Sequence, residues 1–209
     1  MLVTEIKKQK KRLCEVTLHT GRVLLLDAEY CAEKGITAGS ELSEADIEKH
    51  IAGSDYKRAL SRGVWYIERG SISRKKLLEK FKAAGFREDS SLKAADRLEE
   101  LGLINDYEYA LRLSELYLAS CISKKDALYK MMSKGIPRDT AKAALDEFEC
   151  DAVAQIRSII NKKYREKMAD ELSSKKVFAA LQRKGFSYGD IKEAFKIYNE
   201  MDYGEENGI

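Results

Sequence analysis

Basic residues return at a fixed interval in this sequence, and their type and spacing suggest a binding chemistry. Three similar segments begin fifty residues apart: SRKKLLEKFKAAGF (73–86), SKKDALYKMMSKGI (123–136) and SSKKVFAALQRKGF (173–186). Ammonium and guanidinium groups bind phosphates and carboxylates, so a repeated basic segment predicts a surface for a polyanion. The candidate binding residues are Arg74, Lys75, Lys76, Lys80, Lys82, Lys124, Lys125, Lys130, Lys134, Lys175, Lys176, Arg183 and Lys184.

The charge of these segments differs from that of the rest of the chain. Residues 73–84, 123–134 and 173–184 together carry 13 basic and 2 acidic side chains, whereas the whole chain has a net charge of only +3. The third of them has four basic residues and no acid. A positive stripe built from such helices would attract nucleic acid or an acidic protein surface. An ordinary solvated lysine face is the competing interpretation.

Aromatic residues offer a second kind of contact, the stacking of nucleic-acid bases. Several of them fall on apolar helix stripes, which favours core packing as the main role of most. The candidates are Trp65, Tyr66, Tyr107, Tyr109, Tyr117 and Tyr129.

Catalytic motifs are absent from the sequence. The two histidines, His19 and His50, have no metal-ligand spacing, and no phosphate-binding loop, dinucleotide fingerprint or serine-nucleophile motif occurs. We therefore expect a protein that is not an enzyme and that has no cofactor and no metal site. The four cysteines are widely scattered, without a CxxC pair, which predicts reduced thiols that serve packing.

Apolar residues form no run long enough to predict a membrane span, and the first residues lack the apolar region of a signal peptide. The expected location is the cytoplasm.

A helix must position each basic segment. Glycine follows the segment's first serine by twelve residues and precedes an apolar residue in every copy. Such a glycine ends a helix because it adopts the left-handed conformation, and the next apolar residue folds back on the last turn. Apolar residues three apart, such as Leu78 and Phe81, give this helix one buried face. The glycines are Gly85, Gly135 and Gly185, followed by Phe86, Ile136 and Phe186.

The whole chain is predicted to be mainly α, because it contains one proline in 209 residues and apolar spacing typical of helices. One helix precedes and another follows each basic segment, which gives three-helix repeats at 54–104, 105–150 and 151–200. A lone unit of this size buries little surface. We therefore expect three tandem three-helix repeats stacked in an elongated curved array.

The two ends of the chain differ from the repeats. Residues 1–53 predict a small β+α appendage, with a hairpin of Cys14–Leu18 and Val23–Leu26 around Thr20-Gly21. Two short helices complete it, the second with Ser43 as its N-cap. A helix of the first repeat is expected to start separately near residue 55, and residues 201–209 are expected to be a frayed tail.

Residues 104–136 resemble the central block of the RecX family. That block has an acidic pair, a Tyr/Phe-Ala step and a Lys-Gly-Ile/Val ending, which Asp106, Tyr109-Ala110 and Lys134-Gly135-Ile136 match. Asn105 departs from the pattern at the first acidic place. LQRKGF (181–186), with Gly185 and Phe186, resembles the family's Arg-Lys/Arg-Gly-Phe ending, and the first copy resembles its start except that Lys76 replaces a common acid. The resemblance covers about 55–200.

The resemblance implies a regulator that binds the RecA–DNA filament and inhibits or adjusts RecA strand exchange, ATP hydrolysis and SOS co-protease activity. The expected partners are the RecA filament and single- or double-stranded DNA, contacted directly or through RecA, and the expected state is a monomer. Two alternatives remain open. One is a general DNA-binding helical-repeat protein without a recombinase partner, because tri-helical units can present a recognition helix. The other is a helical scaffold that binds only proteins.

Overall fold

The computed structural model describes residues 1–10, 12–168 and 170–206, without the side chains of 201–206. Two units divide the chain, Met1–Asn105 and Asp106–Ile209. Described elements are ten α-helices, one short 3₁₀ helix and one three-stranded sheet at the N-terminus. The prediction of a mainly α fold with an N-terminal β+α element is confirmed.

The sheet of the first unit consists of β1 (Val3–Lys8), β2 (Leu13–Leu18) and β3 (Val23–Asp27). All pairings are antiparallel in the order β1-β2-β3, and the predicted hairpin joins β2 and β3. Alternate residues of β2 are buried, as expected for a sheet with one covered face. The covering helices are α1 (Ala28–Glu33) and the first half of α2 (Glu44–Ile67).

Two buried thiols lie in contact beneath this sheet. The Sγ atoms of Cys14 and Cys31 are 3.1 Å apart, and both cysteines are free. Burial, with the neighbouring thiol of Cys14, raises the pKa of Cys31 to about 12. The Cys31 thiol therefore remains protonated at neutral pH and contributes as an apolar packing group.

The helix α2 runs without a break through residues 51–55, so the expectation of two separate helices there was wrong. Ser43 caps its start as predicted, and Asp46 completes a capping box with it. Gly53 lies against α1, where an added Cβ would come within 2.4 Å of the Tyr30 hydroxyl oxygen. The buried Ser54 hydroxyl accepts a hydrogen bond from the backbone N–H of Asp27 at 2.7 Å. Gly53 and Ser54 therefore allow α2 to pack closely against α1 and the end of β3, and they do not end the helix.

The helices α3 (Arg74–Ala83) and α4 (Glu88–Glu100) complete the first unit with the second half of α2. Phe81 is fully buried in their shared core, and Gly63 of α2 faces it closely. Leu77 is fully buried, whereas the predicted Leu78 is only partly buried against the same core. The helix α4 buries Ala94, Ala95 and Leu98, whereas its apolar residue Leu92 is exposed.

The second unit contains two helical groups, each with its own core. The first group is α5 (Asp106–Ala119), α6 (Lys124–Ser133) and α7 (Arg138–Asp146). The second is α8 (Ala152–Lys163), a 3₁₀ helix (Arg165–Met168), α9 (Glu171–Arg183) and α10 (Tyr188–Glu206). Leu116, an apolar residue of α5, is exposed and lies outside the first core. The helix α10 continues through residues 201–206, so the expectation of a frayed tail there was wrong, and the part 207–209 lies outside the described residues.

The three repeated glycines end α3, α6 and α9 as the pattern predicts. Their φ angles are +80°, +86° and +86° for Gly85, Gly135 and Gly185. The N–H of the following residue donates to a carbonyl in the last helical turn, for example from Phe186 to Leu181 at 3.3 Å. The same bond recurs in the other two copies, so the three helix ends share one Schellman-type geometry.

Two of these glycines differ in their surroundings, which predicts different costs for the same substitution. Gly85→Ala meets no atom within 4 Å, so we expect only the left-handed backbone penalty of about 1–2 kcal/mol. Gly185→Ala would also bring Cβ within 2.7 Å of the Ser123 hydroxyl oxygen and 3.3 Å of the Asp126 nitrogen. Overpacking there adds about 1–3 kcal/mol. Urea unfolding monitored by circular dichroism checks this order, and equal costs would contradict it.

Candidate functional site

The basic residues of α3 divide into paired and unpaired groups. The Arg74 guanidinium hydrogen-bonds the carboxylate of Asp96 and, at 3.1 Å, that of Glu99, both on the acidic helix α4. These bonds raise the pKa of Arg74 and direct its charge toward α4. Lys76 binds Glu79 at 2.7 Å on its own helix. Lys75 and Lys82 are exposed and form no ion pair among the described residues.

The helix α6 presents fewer available charges than its sequence suggests. Lys130 binds Asp126 at 3.3 Å, one helical turn away. Lys134 is the C-cap residue, and Lys124 is half-buried in the first turn. Lys125 is exposed and forms no ion pair within the described part of the chain. It is therefore the α6 residue best placed to bind a polyanion.

The third basic helix starts earlier than the repeat predicts and includes an acid. Asp170 is the N-cap of α9, and its carboxylate accepts a hydrogen bond from the N–H of Ser173 at 2.8 Å. Glu171 then binds Lys175 at 2.7 Å. The interpretation of this helix as purely positive was therefore wrong, because the count over 173–184 omitted its first turn. Lys176 and Arg183 line one shallow depression with Ala179 and Gln182.

The second and third basic segments meet inside the second unit. The Ser123 hydroxyl accepts a hydrogen bond from the N–H of Asp126 at 3.1 Å and donates one to the carbonyl oxygen of Lys184 at 2.6 Å. This fixes the start of α6 beside the end of α9. The sequence pattern identified Ser123 only as the start of a repeat, since its partner lies 61 residues away.

A cleft of about 300 Å³ lies at this junction and contains lysines that the repeat pattern missed. Lys162 and Lys163, at the end of α8, line it together with Lys184. Asp126 also lines the cleft, but its carboxylate is bound to Lys130. The cleft is therefore positively charged. The basic run NKKYREK (161–167) was the sequence signal that could have indicated it.

The residues of α5 that match the RecX pattern, Asp106, Tyr109 and Ala110, have roles in the fold. Asp106 begins the helix, where a carboxylate is favoured by the helix dipole. Ala110 is fully buried, and Tyr109 packs against the same core. Tyr107 donates a hydrogen bond from its hydroxyl to Glu147 at 3.2 Å. Because Tyr109 packs against the core, its role is packing, whereas Tyr129 is exposed on α6.

Within the described residues, no group of three or more His, Cys, Asp or Glu side chains is arranged to hold a metal ion. No described helix is both long and apolar enough to cross a bilayer.

Two solved structures share the fold. A crystal structure of regulatory protein RecX superimposes with a TM-score of 0.68 at 20% identity, covering 93% of this chain and 98% of that one. RecX from Lactobacillus salivarius superimposes with a TM-score of 0.65 at 22% identity, covering 70% of this chain and 98% of that one.

Sequence similarity extends over nearly the whole chain. A family model described as "RecX, third three-helix domain" matches residues 149–195. Regulatory protein RecX of Caldanaerobacter subterraneus subsp. tengcongensis is 24% identical over 200 residues, covering 94% of this chain and 100% of that protein. Regulatory protein RecX of Streptococcus pneumoniae (strain Hungary19A-6) is 26% identical, covering 97% of this chain and 78% of that protein. The chain is thus similar, over nearly its whole length, to proteins named Regulatory protein RecX.

The RecX domain model falls on the helices that carry the third basic segment. Its matched residues, 149–195, contain α8, α9 and the beginning of α10. Lys162, Lys163, Lys176 and Arg183 therefore all lie within the segment that the RecX model describes.

Proposed function

We propose that the chain is a non-catalytic regulator of the RecA recombinase that acts as a cytoplasmic monomer on the RecA–DNA filament. The observation that carries this proposal is similarity over nearly the full chain to proteins named Regulatory protein RecX. The proposed action is inhibition of RecA strand exchange, ATP hydrolysis and SOS co-protease activity. This action follows from the family resemblance and not from any single residue.

The proposed contacts are made by basic side chains that form no ion pair within the described chain. Lys125, Lys176 and Arg183 are exposed in this way in the second unit, and Lys75 and Lys82 in the first. Each contact with a phosphate or an acidic surface is weak, but several on one chain act at high effective concentration. Binding that favours one state of the filament over another shifts the filament's population toward that state.

The test is the single-stranded-DNA-stimulated ATPase of the cognate RecA, measured with increasing amounts of this protein at modest salt. We expect turnover to fall as the protein approaches the concentration of RecA. A control titration with a basic protein of similar size and charge separates specific inhibition from competition for DNA. Unchanged ATPase and unchanged strand exchange at stoichiometric amounts would exclude the proposal.

A general DNA-binding protein would behave differently in a second measurement. Direct DNA binding would then be tight and strongly salt-dependent, and it would account for all inhibition. A regulator that acts through RecA inhibits at concentrations where its own affinity for DNA is too weak to cover the strand. Comparison of the two concentration ranges in one buffer decides between these functions.

A further inference from the structure

The chain's single tryptophan lies among cations near the end of α2. Trp65 is 39% exposed. The Arg69 guanidinium carbon is 3.4 Å from the Trp65 ring centroid, which is a stacking distance, and the Arg62 guanidinium carbon is 5.0 Å from it. Arg69 also donates a hydrogen bond to the Trp65 carbonyl oxygen at 2.9 Å, so its guanidinium is held in place. The result is an ordered, partly exposed layer of two flat groups.

A second ring and a third cation extend this cluster onto α3. Tyr66 contacts Trp65 edge to face, with ring centroids 5.2 Å apart. The Lys80 ammonium lies 4.8 Å from the Tyr66 ring centroid. We call Arg62, Trp65, Tyr66, Arg69 and Lys80 the Trp65 cluster. Its members come from two helices of one unit.

The charge of the Trp65 cluster is not neutralised within the described residues. None of its three cations forms an ion pair there. The nearby carboxylate of Glu79 is bound to Lys76 at 2.7 Å, and Glu68 is exposed at the helix end. Three cations beside an exposed indole disfavour a cationic ligand and favour an anion that also presents a flat face.

Single-stranded nucleic acid has both features. Its unpaired bases stack on aromatic rings and guanidinium planes, and its phosphates bind the flanking cations. In a duplex, the bases stack on one another, so their faces are not available to Trp65. An acidic peptide satisfies the cations but leaves the indole without a matching flat group. The combination of rings and cations therefore selects for single strands.

We propose that the Trp65 cluster is a binding site for single-stranded nucleic acid, in which a base stacks on the Trp65–Arg69 layer while phosphates bind Arg62 and Lys80. The site goes beyond the proposed regulation of RecA and does not depend on it. The experiment uses the full chain without any recombinase, so that loss of one conclusion leaves the other intact.

The first measurement uses the intrinsic fluorescence of Trp65, which has no contribution from any other tryptophan. Three probes of matched length are titrated at low salt: a 15-nucleotide oligothymidylate, the same oligonucleotide with abasic sites throughout, and a duplex. We expect oligothymidylate to change the emission strongly and the other two to change it weakly. Equal responses to the thymidine and abasic strands would overturn the proposal, because they would show phosphate binding without stacking.

The second measurement uses variants and the fluorescence anisotropy of a labelled oligothymidylate. Trp65→Ala should weaken binding about 5- to 150-fold, the range for the loss of one stacked base. Trp65→Phe should retain most of the affinity, because a ring remains. Leu92→Ala is the matched control, since Leu92 is 40% exposed in the same unit but is not part of the cluster. We expect it to bind as the wild type does.

Two further controls keep the outcome decisive. Circular dichroism melting verifies that each variant is folded, and Arg62→Gln, on the exposed surface, tests the site without removing a ring. We expect Arg62→Gln to weaken binding and reduce its salt dependence by about one unit. Polyglutamate is the competing probe. If it binds as tightly as oligothymidylate and loses as much affinity in Trp65→Ala, the cluster binds proteins and the proposal is wrong.

Discussion

Phe81→Ala is expected to lower the free energy of unfolding of the first unit by about 3–5 kcal/mol. Phe81 is fully buried and packs edge to face against Phe86, with ring centroids 5.7 Å apart. Gly63 of α2 also approaches its ring closely, so the cavity left by alanine would lie between α2 and α3. The backbones of α2 and α3 cannot easily move into this cavity. A loss of this size is a large part of the stability of an ordinary domain.

Urea unfolding followed by Trp65 fluorescence measures this effect, because the single tryptophan belongs to the first unit. Phe81→Leu should cost less, since much of the volume remains. Leu101→Ala serves as the control in the same unit, because Leu101 is 51% exposed. Its substitution should cost less than about 0.5 kcal/mol. A Phe81→Ala protein as stable as Leu101→Ala would contradict the assigned core.

Lys176→Gln combined with Arg183→Gln is expected to raise the concentration needed for half-maximal inhibition of RecA ATPase about 10-fold. A factor of 10 corresponds to about 1.4 kcal/mol, which is the range for two exposed charge contacts. Both residues lie in one depression of α9, and neither forms an ion pair within the described chain. The effect should shrink at high salt because ions screen exposed charges.

The matched control is Lys130→Gln combined with Lys175→Gln. It removes the same amount of charge, but Lys130 already binds Asp126 and Lys175 already binds Glu171. We expect a shift in half-maximal inhibition of less than about 3-fold, because these lysines are less available to a partner. Equal shifts for both double variants would indicate that only the net charge matters. Lys176 and Arg183 would then not be specific contacts.

Some of these ion pairs could be predicted from the sequence and others could not. Glu171 and Lys175 are four residues apart on one helix, as are Asp126 and Lys130, and this spacing brings opposite charges together. Arg74 reaches Asp96 and Glu99 only because α3 packs on α4. A count of charges along the sequence therefore identifies the basic helices but overstates how many of their charges are available.

The periodic features of the fold were predictable for a similar reason. The glycine helix ends, the β2–β3 hairpin and the capping box of Ser43 depend on neighbours a few residues apart. The continuity of α2 was not predictable, because Gly53-Ser54 has the composition of a helix break. Only the approach of Tyr30 and Asp27, from more than twenty residues earlier, explains these two residues. The burial of Leu98 and the exposure of Leu92 likewise depend on which helix packs against α4.

The unbroken helix α2 connects the core under the sheet with the helix end that carries Trp65. Ile47, near its start, is buried in the core under the sheet, whereas Ala59 is buried in the core with α3 and α4. Its 24 residues span about 36 Å at 1.5 Å per residue. Rotation of a helix of that length by about 5° about one end displaces the other end by about 3 Å. A rotation of α2 at the sheet would therefore displace the end of α2 that carries Trp65.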